Sequence, residues 1–381
     1  MGVRFAVLST YPPTRCGIAT FAEALVTQLS AAGAHVGVVR VVDEPEVQVL
    51  PVVQQWQRGS AWSTDAAVRV LDDHDVVILQ HEYGIFGGAD GAEVVDLVRR
   101  LRTPVVTVLH TVLTHPTPHQ FEVLADLIAA SAALVTMTET GRDRLVAGWD
   151  VDPARVSVIP HGAHDNRTHR PAPASPAGRP TMLTWGLLSQ GKGIEWALQA
   201  LGALRGHVPL PLYRVVGRTH PTVLERDGES YRSRLVAMTR DLGLAGDVEF
   251  DDRYLTQEQL AATVASADLV LLPYDSLEQV TSGVLTEAVA AGRPVISTAF
   301  PHAVELLASG AGILVPQSDP VALAAALRRV LTEPGLAEGM ARTSRGLAHS
   351  LLWSTVGRRY LDLGQSLVRG SHLIEPQRAA V

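Results

Sequence analysis

Residues 269–298 read LVLLPYDSLEQVTSGVLTEAVAAGRPVIST. The apolar run at its start predicts a strand over 268–273, and a polar loop follows. Ser282 and Gly283 begin a helix over 282–291, and a second apolar run predicts a strand over 294–298. Two strands that are apolar on both faces, joined by a helix, are the unit of a parallel sheet covered on both sides.

The same grammar extends outward. Downstream lie helices over 302–308 and 319–332 and a strand over 312–315. Upstream lie strands over 181–186, 212–217 and 247–250, with helices over 191–204, 230–242 and 256–266. The pattern stops at AHDNRTHRPAPASPAGRP, residues 163–180, a polar, Pro-rich stretch without periodicity that reads as a linker. Before it the alternation returns. Strands are expected over 3–9, 35–42, 75–80, 104–109, 133–137 and 156–160, and helices over 18–32, 64–73, 90–102, 117–131 and 139–148. The last stretch, 335–369, is helical in pattern with Trp353, Tyr360 and Leu361 as anchors, and the tail after it reads as frayed. The expectation is an α/β chain of two doubly wound, Rossmann-like domains, 1–165 and 181–350, with a linker at 166–180. A C-terminal helix and tail occupy 351–381.

Composition agrees. The 381 residues suit two domains, and 46% hydrophobic with 19% charged residues supplies real cores. Lys and Arg number 32 and Asp and Glu 39, so the net charge of −7 weighs against a nucleic-acid partner. No run reaches the roughly 18 apolar residues of a membrane span. The start, MGVRFAVLSTYPP, ends its short apolar run in Pro-Pro and reads as a first strand, not a signal segment. Cys16 is the only cysteine, which excludes an intrachain disulfide and fits a reducing cytoplasm.

In open parallel sheets, ligands bind beyond the carboxyl ends of the strands. After the first strand, Gly17 opens a helix whose N-terminus suits an anion. A G-x-G-x-x-G fingerprint is missing there, which disfavours a dinucleotide site. After the third strand come His81, Glu82 and Tyr83 with flexible glycines, a substrate-loop candidate. His110 ends the next strand. His115 and His119 are spaced like zinc ligands, but Pro116 and Pro118 and the lack of an H-E-x-x-H frame argue against metal. In the second half, Lys192 sits between Gly191 and Gly193 at a helix start, a setting for a diphosphate. Arg218 follows the next strand. Glu287 lies little more than a turn inside the helix that Ser282 and Gly283 start, placed to accept ribose hydroxyls. Asp251 and Asp252 read as solvated loop residues.

Three motifs together resemble the retaining GT-B glycosyltransferases of family 4, the group 1 glycosyl transferases. VIPHG at 158–162 is similar to the family's I-P-N-G. GLLSQGKG at 186–193 is similar to G-R-L-x-x-x-K-G. QVTSGVLTEAVAAGRPVI at 279–296 is similar to E-x7-E with the E-A-x-A-x-G-x-P-V that follows. Two positions depart: Leu187 replaces the family's Arg, and Gln279 stands in register for its first Glu, with Glu278 one residue early.

The resemblance implies two domains with a cleft between them and a C-terminal helix crossing back to the first. It implies transfer of a hexose, mannose or glucose, from a nucleotide diphosphate sugar to a hydroxyl of a glycan or glycolipid, without metal or cofactor. Lys192 and the helix starts at Gly17 and at Ser282, Gly283 and Val284 would face the diphosphate. His110, with Gln279 or Glu278, would face the sugar, and Arg218 and Glu287 would complete donor binding. His81, Glu82 and Tyr83 would meet the acceptor, and a peripheral membrane contact is compatible with a lipid-linked one. A sugar phosphorylase and an inactive binding protein share this fold and are the alternatives.

Overall fold

The computed structural model describes residues 2–166 and 178–374. The chain divides into two compact units: one runs to Gly162 and takes the chain back from Trp353, and the other is Ala163–Leu352. Most of the linker, 167–177, and the end of the tail, 375–381, lie outside the described residues.

The first unit contains β1 (Arg4–Ser9), β2 (His35–Val42), β3 (Val52–Gln57), β4 (Val76–His81), β5 (Val105–Leu109), β6 (Ala133–Thr136) and β7 (Val156–Val158), all parallel, in the order β3-β2-β1-β4-β5-β6-β7. Both faces are buried, as the unbroken apolar runs require. Phe5 and Val7 of β1 join Val38, Ile78 and Val106 under the helices Gly17–Ala31 and Trp353–Ile374. Ala6 and Leu8 join Val39, Val77 and Leu79 on the other face. The helix Trp353–Ile374 lies so close to the sheet that a Cβ on Gly364 would stand 2.3 Å from the Phe5 ring.

The second unit contains β8 (Thr181–Trp185), β9 (Leu212–Val216), β10 (Val248–Asp251), β11 (Leu269–Leu272), β12 (Val295–Thr298) and β13 (Gly312–Val315), all parallel, in the order β10-β9-β8-β11-β12-β13. Each unit thus grows outward from its first strand in one direction, then reverses and grows in the other.

Four details differ from expectation. β3 was missed because VVQQWQ is only half apolar; it is the edge strand, with Val52 and Trp56 alone buried. The seven-residue helix Pro221–Asp227 was missed because it buries no residue to mark it. The helix expected over 90–102 is Glu93–Arg99, preceded by a turn in which Asp90 has φ +49°. The stretch 335–369 is two helices, Leu336–Leu351 and Trp353–Ile374. Leu352 breaks them: it is extended and bridges to Ala163, whose N–H donates to the Leu351 carbonyl at 2.7 Å. Here the glycine of VIPHG finds its reason, since a Cβ on Gly162 would stand 2.1 Å from the Trp353 ring.

Candidate active site

The strand orders place a reversal point between β1 and β4 in the first unit and between β8 and β11 in the second. Ligands of doubly wound sheets bind beyond the strands' carboxyl ends at such points. The candidate residues of each unit gather there.

In the second unit, the chain leaves β8 through Gly186 (φ +121°) and leaves β9 through Gly217 (φ +138°). A Cβ on Gly217 would stand 2.0 Å from the Gly186 carbonyl oxygen, so the turns touch backbone to backbone. Leu188 is hydrogen-bonded on both sides to this partner segment, to the Arg218 carbonyl and the His220 N–H, each at 2.8 Å. The Arg218 side chain points out and is exposed. Further along, Lys192 is half-buried, and burial lowers its ammonium below the ordinary lysine range. Its Nζ lies 4.3 Å from the centroid of the Tyr274 ring. Among the described residues no carboxylate pairs with it.

The helix Gly283–Ala290 begins against this turn, with Val284 Cγ2 3.8 Å from where a Gly186 Cβ would stand. Ser282 is its cap: Oγ accepts the Leu285 N–H at 3.2 Å, and the Ser282 N–H donates to buried His302 Nδ1 at 2.8 Å. The serine hydroxyl is thus committed to capping, while the first-turn N–H groups of Gly283 and Val284 have no carbonyl within the helix. Glu287 accepts the His164 N–H at 3.2 Å. Burial pushes its carboxyl up to about 8, against a smaller opposing effect of that N–H. In the loop before the helix, Gln279 Nε2 donates to the Thr281 carbonyl at 3.0 Å, and the Glu278 N–H donates to Ser276 Oγ at 3.3 Å. Asp251 corrects the sequence reading: it is the last residue of β10, held by Arg253 at 2.7 Å and lowered to about 2 by that hydrogen bond.

In the first unit, Gly17 opens the helix Gly17–Ala31 with open space around its Cα. Cys16 is its cap, with Sγ accepting the Ala19 N–H at 3.3 Å. His110 Nε2 meets Gln80 Oε1 at 2.7 Å, and its ring stands edge-on to Phe21 at 4.9 Å. Phe21 also carries His161 and Trp353. Burial first, then the nearby His161 and His81, pull His110 down to about 3. His81 is 1% exposed and burial pulls it to about 4; its ring packs edge-on to Tyr83 at 5.0 Å. Tyr83 is buried too and donates to the Gln120 carbonyl at 3.3 Å. His81 and Tyr83 therefore build the wall of the loop, and neither presents a surface to an acceptor in this arrangement. Glu82 stays half-buried, accepting from the Thr111 hydroxyl and, at 3.1 Å, from the Tyr83 N–H. His119 pairs with Asp90 at 2.8 Å. Among the described residues no three His, Cys, Asp or Glu are grouped to hold a metal ion, and no helix is long and apolar enough to cross a membrane.

The family description Glycosyltransferase Family 4 matches residues 16–167, and Glycosyl transferases group 1 matches residues 179–333. The chain belongs to the group 1, family 4 glycosyltransferases. Among its relatives in this family is a D-inositol 3-phosphate glycosyltransferase of Frankia alni, 30% identical over 249 residues, 62% of this chain and 59% of the relative. A Nocardioides protein of the same description is 28% identical over 62% of this chain and 54% of its own length. A Mycobacterium tuberculosis glycogen synthase is 27% identical over 66% and 58%. The chain thus spans little more than half the length of these curated relatives. Solved structures show the shared GT-B fold. Sucrose-phosphate synthase from Thermosynechococcus elongatus superposes with a TM-score of 0.77 at 18% identity, covering 97% of this chain and 100% of that one. Anabaena HepE in complex with UDP and glucose gives 0.74 at 16% identity, covering 96% and 100%.

Sequence reasoning missed Tyr274, Gln80, His164, His161 and His302. The rule that selected His110 would have found Tyr274, two residues past its strand. Gln80 was legible as a polar residue inside the apolar strand VVILQH. The role of His164 is a backbone N–H, which no side-chain motif reveals.

Proposed function

We propose that the protein is a retaining hexosyltransferase that moves mannose or glucose from a nucleotide diphosphate sugar to a hydroxyl of a glycan or glycolipid, in the cytoplasm and without metal. The second unit would hold the nucleotide diphosphate and the first would serve the acceptor. The observation that carries this reading is Lys192, a half-buried cation at the reversal point of the second sheet with no carboxylate partner among the described residues. Such a charge is costly unless a ligand compensates it.

The chemistry asks for little beyond electrostatics. The bond between the anomeric carbon and the diphosphate oxygen breaks, and its electron pair leaves with the diphosphate. The acceptor oxygen bonds to the anomeric carbon on the same face, and its proton passes to the departing diphosphate oxygen. Negative charge grows on the diphosphate, where Lys192 and the N–H groups of Gly283 and Val284 would stabilise it. Glu287 would bind the ribose hydroxyls, Arg218 would lie at the rim of the donor site, and Gln279 or Glu278 would bind the sugar. In the first unit, Gly17 would offer an anion a helix start of its own. His110, neutral above its lowered pKa, would offer the sugar a hydrogen bond without adding charge. Glu82 would be the acceptor-side carboxylate, supported by His81 and Tyr83.

The reading is supported by family membership, by the relatives' descriptions as glycosyltransferases and by the UDP and glucose named for HepE. A thermal-shift screen of GDP-, UDP- and ADP-sugars, followed by anomer-resolved product analysis, tests it. One nucleotide sugar should raise the melting temperature and yield product of the donor's anomeric configuration. Inversion, or consumption of a sugar phosphate without nucleotide, would refute it.

A further inference from the structure

The turn after β8 and the turn after β11 interlock residue by residue. The Gly191 carbonyl accepts the Asp275 N–H at 2.9 Å, and a Cβ on Gly193 would stand 1.8 Å from the Pro273 carbonyl oxygen. Between these contacts, Lys192 lies over Tyr274. Asp275 is pinned by Trp196 Nε1 at 2.7 Å and Ser318 Oγ at 3.1 Å. The Tyr274 ring stacks on Phe300 at 5.5 Å and 21°, and its carbonyl accepts the Thr298 hydroxyl at 2.6 Å. Its own Oη is buried with no hydrogen-bond partner among the described residues. Fixed in place with an idle hydroxyl, this side chain contributes its ring.

Lys192 is the only lysine among the 32 Lys and Arg residues of the chain. A compact ammonium seats on an aromatic face as a point charge, with no planar fork to satisfy. A carboxylate in Tyr274's place would also hold it, but would cancel the charge that a diphosphate needs. The negative face of a ring attracts the cation and leaves its full charge available. Because Leu187 replaces the family's Arg, Lys192 is the sole side-chain cation of the turn GLLSQGKG.

We infer that Tyr274 is a positioning residue whose ring holds Lys192 charged and unpaired for the diphosphate of a nucleotide ligand. The inference rests on the nucleotide reading above. The whole chain labelled with 13C-lysine gives the Cε signal of one residue, so Lys192 can be titrated directly without any ligand. Tyr274→Leu keeps the ammonium out of water but removes the negative face, so its titration midpoint should fall further; Tyr274→Phe should track the parent. In calorimetry with UDP and GDP, Tyr274→Leu should weaken the diphosphate about tenfold and leave uridine and guanosine unaffected, and Tyr274→Phe should restore the affinity. Tyr274→Met replaces the leucine variant if that one fails to fold. A leucine or methionine variant that titrates like the parent, or that loses diphosphate and nucleoside equally, would overturn the inference. A parent that binds neither UDP nor GDP would refute the nucleotide reading, and the titration would then decide the role of Tyr274 alone.

Discussion

The two sheets share the order of six strands, which β7 extends in the first, but they place different charge at their reversal points. In the first unit, His81 and His110 are held neutral by burial, and His110 is satisfied by Gln80. In the second, among the described residues, Lys192 has no carboxylate partner and Glu287 accepts the His164 N–H. Topology fixes where a ligand meets each sheet, and the side chains fix what kind. A neutral, hydrogen-bonding end suits a hydroxyl, whereas an uncompensated cation beside a helix N-terminus suits a phosphate.

The largest effect should come from breaking the charged side of this contrast. Lys192→Ala should cost roughly 3 kcal/mol of transition-state stabilisation, the order found for one electrostatic donor. His110→Ala should lower turnover while leaving nucleoside diphosphate affinity unchanged. Steady-state kinetics paired with calorimetry separates the two, and near-parent turnover of Lys192→Ala would end the phosphate role.

The register at 278 and 279 is next. If Gln279 binds the sugar, Gln279→Ala should cost about 1–3 kcal/mol by stranding a buried hydroxyl, and Glu278→Ala should be nearly silent. The reverse order would assign Glu278. Equal, parent-like kinetics would show that the family's first Glu has no counterpart here.

The contrast also predicts opposite pH slopes. His81 has a folded pKa lowered to about 4. The unfolded chain therefore binds more protons there, and its contribution is present above the unfolded value of about 6.5. That contribution is lost as pH falls through about 4. Glu287 is raised to about 8. Its contribution is present below the unfolded value of about 4.3 and is lost as pH rises through about 8. Glu287→Gln should flatten the alkaline side of the ligand-free melting curve, and His81→Asn the acid side. Nucleotide binding to the parent at neutral pH should release a proton from Glu287, measurable by calorimetry in buffers of different ionisation enthalpy. The smallest effect is expected from EDTA: activity should persist, and loss restored by Mg²⁺ would require a metal in the mechanism.

Much of this was legible in the chain. Apolar runs such as LVLL and VVILQ are buried on both faces, so their strands announced themselves, whereas β3, an edge strand interrupted by glutamines, did not. The glycines around Lys192 marked a helix start, and the helix begins at Ile194, just past Gly193, which Pro273 confines. Contacts between distant segments stayed hidden. No spacing rule joins Lys192 to Tyr274 or His164 to Glu287, because those pairs exist only once the strands are ordered. His81 and Tyr83 misled for the same reason: a polar cluster after a strand looks open until packing shows it facing inward.

The central claim is that a nucleoside diphosphate binds at the reversal point of the second sheet. Hydrogen exchange on the full chain, with and without UDP or GDP, tests it most directly. Amide protection should rise in 186–193, in 217–219 and in 282–287, with the first unit changing less. Unchanged exchange in those segments under saturating nucleotide, or protection confined to the first unit, would contradict it.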